Sequence, residues 1–375
     1  MSHEADSEDE PQQIPPGPAV TPELFFKWRS PRLGSANPEV MNNPVWEWLI
    51  KSQLSAYQAN EHFGGEDALI AGPGWCCSRF GQSSSKLSDG TIVLIGGEHE
   101  DYYDADFYIY NDVIVRHPGG DIDIFGYPRD IFPPTDFHSA TLVGERIIIV
   151  GNLGYPEQRK SGCTQVYALD LRNFSIFQVQ TSGTSPGWIH GHEAGLSEDA
   201  GSIVIQRGLL ERGNPGGSLV ENLDDWRLDL AKWKWERVTE RRWIRWEVRR
   251  KDHKRNHLWE FSQALWDKQH PEFKTGRKIG LASLQETLGV EPNFELFERL
   301  YRPGLPHEAI PELEDEHRVE RIRVGGTVVR YVDSGYGIQC TVEGELPEST
   351  VKILKQDVLD KFSILENGPC ELVEL

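Results

Sequence analysis

The densest set of side chains able to do chemistry in this 375-residue chain is one short run, Glu98-His99-Glu100-Asp101-Tyr102-Tyr103-Asp104-Ala105-Asp106. Carboxylates and an imidazole packed this closely could hold a divalent cation or supply a general base, with Glu98, His99 or Asp101 as ligands or base. The plainer reading is a solvated acidic rim. Asp104 extends the run, and three further histidines, His138, His190 and His192, are candidates for the same neighbourhood. Their spacing matches no ligand motif, so no metal or cofactor is assigned. Neither a G-x-S-x-G elbow nor a P-loop lysine motif occurs, which leaves nucleophilic catalysis and phosphate cradling without support.

The elements that must position these residues repeat. Three strand cores, Ile92–Ile95, Ile147–Val150 and Ile203–Ile205, are each followed by an aromatic-led phrase: Tyr108-Ile109-Tyr110-Asn111, Tyr167-Ala168-Leu169-Asp170 and Trp226-Arg227-Leu228-Asp229. The leading aromatics recur every 59 residues. Turn residues precede each core, at Asp89-Gly90, Gly144-Glu145 and Asp199-Ala200-Gly201, as hairpin chemistry requires. A strand-built period of roughly 50–60 residues predicts radial blades rather than one mixed sheet.

On these residues the stretch 80–238 resembles the kelch repeats of β-propellers, which place an apolar strand ending in a glycine pair before an aromatic, an Asp and a second aromatic. Trp226, Asp229 and Trp233 fit the pattern, as do Tyr167, Asp170 and Phe174. The first repeat keeps Tyr108 and Asn111 but has Val115 in the last place. The glycine pair is intact at Gly96-Gly97 and degenerate at Gly151-Asn152 and Arg207-Gly208. The resemblance covers about 160 of the 375 residues. It implies a kelch-like β-propeller, a mainly β fold whose loops recognise another protein or a polar ligand. It also implies loops from successive blades converging near a channel, where Glu98, His99, Asp101, His138, His190 and His192 would meet.

Some kelch propellers are enzymes: a secreted copper oxidase, a sialic-acid mutarotase, an iron-dependent specifier protein. The iron triad Glu-x-x-x-Asp-x-x-x-His is absent here, and the copper enzyme is an exported protein with a crosslinked Cys-Tyr centre. A carbohydrate isomerase or mutarotase, working around Glu98, His99, Asp101 and His190, is therefore the alternative to a binding module. Isolated kelch propellers usually close with about five to seven blades, whereas three repeats are recognisable here. A fan of three leaves edges exposed, so flanking segments or a second copy of the chain must cover them.

The flanks have their own signals. Residues 1–20 carry an acidic run and Pro15-Pro16-Gly17-Pro18, the composition of a disordered tail. Residues 21–74 read as a helical flank: Thr21-Pro22 and Asn43-Pro44 are helix starts, and Trp46, Leu49, Ile50, Leu54 and Tyr57 form one apolar stripe. After the kelch-like region at 75–240, residues 241–317 form a basic and helical linker. Its segment Arg241 to Arg255 holds eight basic residues with Trp243 and Trp246 interleaved. Residues 318–375 read as a small α+β unit with three strands and a helix from Pro347 to about Leu365.

Lys plus Arg number 39 against 59 Asp plus Glu, a net charge of −20, which disfavours nucleic acid or an anionic membrane as partner. The basic stretch is expected to be solvated or docked on the chain's own acidic groups. Five scattered cysteines without a C-x-x-C pair fit a reducing compartment. Mean hydropathy is −0.51, and no apolar run approaches the roughly 20 residues that span a bilayer. A cytoplasmic protein is expected, with a protein or polar small molecule as partner and a homodimer as one way to close the fan.

Overall fold

A computed structural model describes residues 20–65, 72–99, 104–212, 218–270, 281–311 and 318–375. Residues 1–19, the expected tail, lie outside that range. The chain is mainly β and divides into two compact units, 1–241 and 242–375.

The first unit begins with α1 (Pro22–Trp28), capped by the Thr21 hydroxyl, and β1 (Glu39–Val40). Next comes α2 (Pro44–Ser52), whose Asn43 cap accepts from the amides of Val45 and Trp46. Gln53 then turns left-handed (φ 58°) and α3 (Ala56–His62) starts on a Ser55–Gln58 capping box. That turn breaks the expected single stripe: Trp46, Leu49 and Ile50 are buried, whereas Tyr57 is exposed.

The first repeat supplies β2 (Ser83–Lys86), β3 (Ile92–Ile95), the short pair β4 (Glu98–His99) and β5 (Tyr108–Ile109), then β6 (Val113–Arg116) and β7 (Ile122–Gly126). The second supplies β8 (Ser139–Val143), β9 (Arg146–Val150), β10 (Val166–Asp170) and β11 (Ile176–Gln178). The third supplies β12 (Ser182–Gly183), β13 (Ile189–His190), β14 (Glu193–Leu196), β15 (Ser202–Gln206), β16 (Leu209–Arg212), β17 (Ser218–Glu221), β18 (Trp226–Asp229) and β19 (Lys234–Arg237). Three main sheets result, ordered β1-β7-β6-β3-β2, β11-β10-β9-β8 and β12-β19-β18-β15-β14. Four antiparallel strands repeat in each.

Strand register corrects one alignment. Leu94 pairs with Ile114, Ile149 with Tyr167 and Ile205 with Trp226. Ile114, 53 residues before Tyr167, therefore holds the position of the two aromatics, and Tyr108 sits on the separate pair β4–β5. The first 59-residue interval is a coincidence of loop length.

The sheets stack through equivalent positions. Val93, Val115 and Ile95 of the first sheet pack against Ile147, Ile149 and Tyr167 of the second. Ile148, Val150 and Ala168 of the second meet Ile203, Ile205, Trp226 and Leu228 of the third. The outer face of the first sheet, with Ile114 and Ile124, is covered by Trp46, Leu49, Phe25 and Trp75 of the helical flank. At the other end of the series the pattern changes. Arg227 stands where Val115 and Ala168 stand in the earlier sheets, and it is exposed together with Gln206 and Glu236. The apolar series starts under helices and stops on a polar face.

One ion pair fixes the first sheet to the segment before it. The Arg79 guanidinium, fully buried, grips Asp112 with two nitrogens and donates to the carbonyls of Gly96 (3.0 Å) and Cys76 (2.8 Å). It lies 3.6 Å from the Tyr110 ring centroid, and Trp75 Nε1 donates to Asp112 at 2.7 Å.

In the second unit, β20 (Ile244–Arg250), β21 (Glu308–Ile310), β22 (Val319–Val324), β23 (Thr327–Asp333), β24 (Gly337–Glu343) and β25 (Cys370–Glu374) form one antiparallel sheet ordered β21-β22-β23-β24-β20-β25. The helices Leu258–Gln269 and Glu348–Leu365 pack on Trp246, Val248, Val329, Tyr331 and Ile338. The basic stretch thus supplies an inner strand of the sheet rather than a linker, and the sheet does not begin at residue 318. Trp246 is fully buried, out of reach of any base. Arg249 pairs with Glu371 at 2.9 Å, and Arg250 with Glu366 at 2.8 Å and Asp252 at 2.7 Å.

Removing one partner of a buried ion pair strands the other charge, at a cost of about 3–5 kcal/mol. Asp112→Ala or Arg79→Met is therefore expected to lower unfolding free energy by about that amount. Urea titration checks it; a loss below about 1 kcal/mol would show that the pair is dispensable.

Candidate functional site

The two ends of the sheet stack are built differently. At one end the strands are joined by tight turns, such as Ser88-Asp89-Gly90, Gly144-Glu145 and Asp199-Ala200-Gly201. Long connections leave and re-enter at the other end, where β3, β9 and β15 finish and β2, β8 and β14 begin. Successive sheets also touch there. The Gly97 amide donates to Thr135 O (2.8 Å) and the Asn152 amide to Ile189 O (2.9 Å), each bridging one sheet to the chain entering the next.

That approach needs glycine. A Cβ on Gly96 (φ 58°) would lie 2.1 Å from Thr135 O, and one on Gly151 (φ 75°) 2.3 Å from Ile189 O. The third repeat keeps the same left-handed pair with other residues, Arg207 (φ 58°) and Gly208 (φ 82°).

Imidazoles lock the same end. His138 Nε2 meets Ser83 Oγ at 2.8 Å, and His192 Nε2 meets Ser139 Oγ at 2.8 Å, each reaching back to the first residue of an edge strand of the preceding sheet. In the first repeat Gln82 holds the equivalent place and donates to Gly96 O (3.3 Å). Burial pushes His138 down to about 3 and His192 to about 4, so both are neutral at pH 7.

A second group lies among the long connections. Asp136 is fully buried; its Oδ1 accepts the Gly154 amide at 2.6 Å, its Oδ2 has no hydrogen-bond partner among the described residues, and the Glu98 side chain lies beside it. Burial pushes the Asp136 acid above the usual carboxylate range, against the pull of the Gly154 amide, Glu98 and Arg159. Arg159 donates to Leu153 O (3.0 Å) and pairs with the buried Glu211 at 3.0 Å. The Trp188 indole N–H donates to the same Leu153 carbonyl at 3.1 Å. His190 is buried, held down at about 3 by desolvation and then by Arg159, with the Phe137 ring centroid 6.4 Å away. Its Nε2 has no protein hydrogen-bond partner among the described residues. Phe80, bridged to Glu98 through the backbone, is 66% exposed beside this group.

The candidates named from sequence therefore separate. Glu98 and His190 lie in the polar group. His138 and His192 serve as clasps between sheets. His99 is buried on β4 opposite Tyr108, and Asp104 is half-buried at a turn. Asp101 lies outside the described residues. Among the described residues no three His, Cys, Asp or Glu side chains are placed to hold a metal ion, and no helix is long and apolar enough to cross a membrane. Asp136, Arg159 and Glu211 carried no motif. They come from three separate connections of the chain and meet only once the sheets are stacked.

No family model and no curated protein matches the chain. Among solved structures it is similar to YjhT, at 13% identity and TM-score 0.28, over 43% of this chain and 71% of that one. It is similar to the polysaccharide lyase Uly1, at 14% and 0.27, over 40% of this chain and 28% of the other. A fungal alcohol oxidase of the AA5 family, in complex with copper, matches at 14% and 0.29, over 44% of each chain.

A carboxyl whose folded pKa is raised loses stability as pH rises from its unfolded value through the folded one. Asn at position 136 keeps an acceptor for the Gly154 amide and can donate to Glu98. Asp136→Asn is thus expected to raise the urea midpoint at pH 7, with the gain vanishing below about pH 4. Asp136→Ala should instead cost about 1–3 kcal/mol by orphaning that amide. Equal midpoints for Asp and Asn at pH 7 would refute the raised acid.

Proposed function

We propose that residues 75–240 are a recognition module, a short kelch-like propeller fan that binds a protein or a polar ligand at its loop-bearing end. The observation that carries this reading is the asymmetry of the stack. Tight turns close one end, while the connections of three successive sheets gather Glu98, Asp136, Arg159, His190 and Glu211 beside exposed Phe80 at the other. Loops positioned by a rigid scaffold are where binding residues concentrate. Half-buried Glu98 and the largely buried Arg159 give such a face charge of both signs, and Phe80 gives it an apolar anchor.

A photoreactive residue at Phe80 or Arg207, on the loop-bearing end, is expected to crosslink to a bound partner. The same residue at Glu145 or Ala200, on the turn end, should not. Crosslinks confined to the turn end would sink the proposal.

One observation favours a second reading, a carbohydrate isomerase or mutarotase. Burial raises the Asp136 acid above the usual carboxylate range beside the Glu98 side chain, and an acid–base catalyst of ring opening would need such a carboxyl. Anomer exchange of a free sugar, followed by NMR, would then fall about 100-fold or more in Glu98→Gln. Unchanged exchange in that variant would remove this reading.

A further inference from the structure

We propose that His138 and His192 form two acid-opened clasps, closing the stack of three sheets at its loop-bearing end while neutral and releasing it when protonated. The geometry is the same twice. Each Nε2 lies 2.8 Å from the hydroxyl of the first residue of an edge strand of the preceding sheet, Ser83 in β2 and Ser139 in β8. Each Nδ1 is buried and has no protein hydrogen-bond partner among the described residues. A neutral imidazole tolerates this, with its one N–H donated to the serine and its bare nitrogen left against apolar surroundings. A second proton creates a buried N–H with no acceptor and a cation with no counter-charge, the costly case for a buried group.

The surroundings offer no relief. His138 is faced by Ser83 of β2, the Gly96 turn and the His192 ring, whose charge would oppose its own. His192 is faced by Ser139 of β8 and by the backbone turns at Gly151 and Gly208, and burial alone accounts for its shift. His190, two residues away, is buried beside cationic Arg159. Asp136, two residues before His138, turns its carboxyl to the Gly154 amide and to Glu98, and its own acid is weakened by burial.

A histidine with a depressed folded pKa contributes stability that is fully present above its unfolded value near 6.5. That stability is lost as pH falls toward the folded value, here about 3 for His138 and about 4 for His192. Loosening should therefore set in below about pH 6.5, steepen with each unit of acid, and begin at the two inter-sheet contacts. The first repeat supplies the control, because Gln82 occupies the same position and cannot titrate.

Hydrogen exchange of the full chain, corrected for intrinsic rates, tests this at pH 7.5 and pH 5. Amides of β2, β8 and β14 in the wild type are expected to lose protection about tenfold or more at pH 5, while helix Glu348–Leu365 is unchanged. The double variant His138→Gln/His192→Gln should lose most of that acid response, keeping only the part that buried His190 contributes. A double variant with the wild-type acid response would overturn the proposal. Should the variant not fold, exchange at the imidazole C2 positions of the wild type decides. His138 and His192 titrating well below about 6.5 supports the clasps, and both titrating near 6.5 with the strands still protected overturns them.

Discussion

A β-sheet with two apolar faces has to be covered twice, and that constraint organises the first unit. Val93 and Val115 on one face of the first sheet, with Ile114 and Ile124 on the other, cannot be left in water. Each such side chain gains about 1.5–3 kcal/mol on burial, so a row of them decides what lies alongside. The second sheet covers one face and the helical flank, with stacked Trp46 and Trp75, covers the other. The series ends where its chemistry changes. Arg227, Gln206 and Glu236 on the free face of the third sheet ask for solvent, not for a fourth sheet.

Stacking sheets at van der Waals distance forces their ends together, and the polar groups there have to be satisfied. Backbone bridges such as Gly97 to Thr135 supply part of the answer, and the Ser–His contacts supply the rest. A serine 2.8 Å from an imidazole resembles an activated nucleophile. Its recurrence at equivalent positions in two repeats, with neither Nδ1 hydrogen-bonded to a carboxylate among the described residues, assigns it instead to architecture. The Glu98–Asp136 and Arg159–Glu211 pairs occur once each, in the long connections, and this is what separates the candidate site from the scaffold.

In the second unit the same logic turns a basic run into a core strand. Trp246 and Val248 point into the helical layer, and alternation places Arg249 on the other face, where Glu371 on the adjoining strand meets it. Arg249 owes its partner to the register of β20 with β25, whereas Arg250 reaches Glu366 and Asp252 outside that strand. The expected docking on the chain's own acidic groups is met here by Glu371, Glu366 and Asp252.

What the amino-acid order determined by itself was local. Asn43-Pro44 and Thr21-Pro22 start helices because their caps act within one turn, and the hairpins at Asp89-Gly90 and Gly144-Glu145 follow from turn chemistry and short apolar runs. The helix from Pro347 and the three strands after residue 318 are legible for the same reason, that periodicity is carried by neighbouring residues. The tertiary structure decided everything that depends on register and stacking. It placed Ile114 rather than Tyr108 in the repeat, sent His138 and His192 to serines about 55 residues away, and drew Asp136 to Glu98. Those pairings join residues separated by loops of unequal length. No fixed spacing encodes them, and only the burial of apolar faces between sheets brings them together.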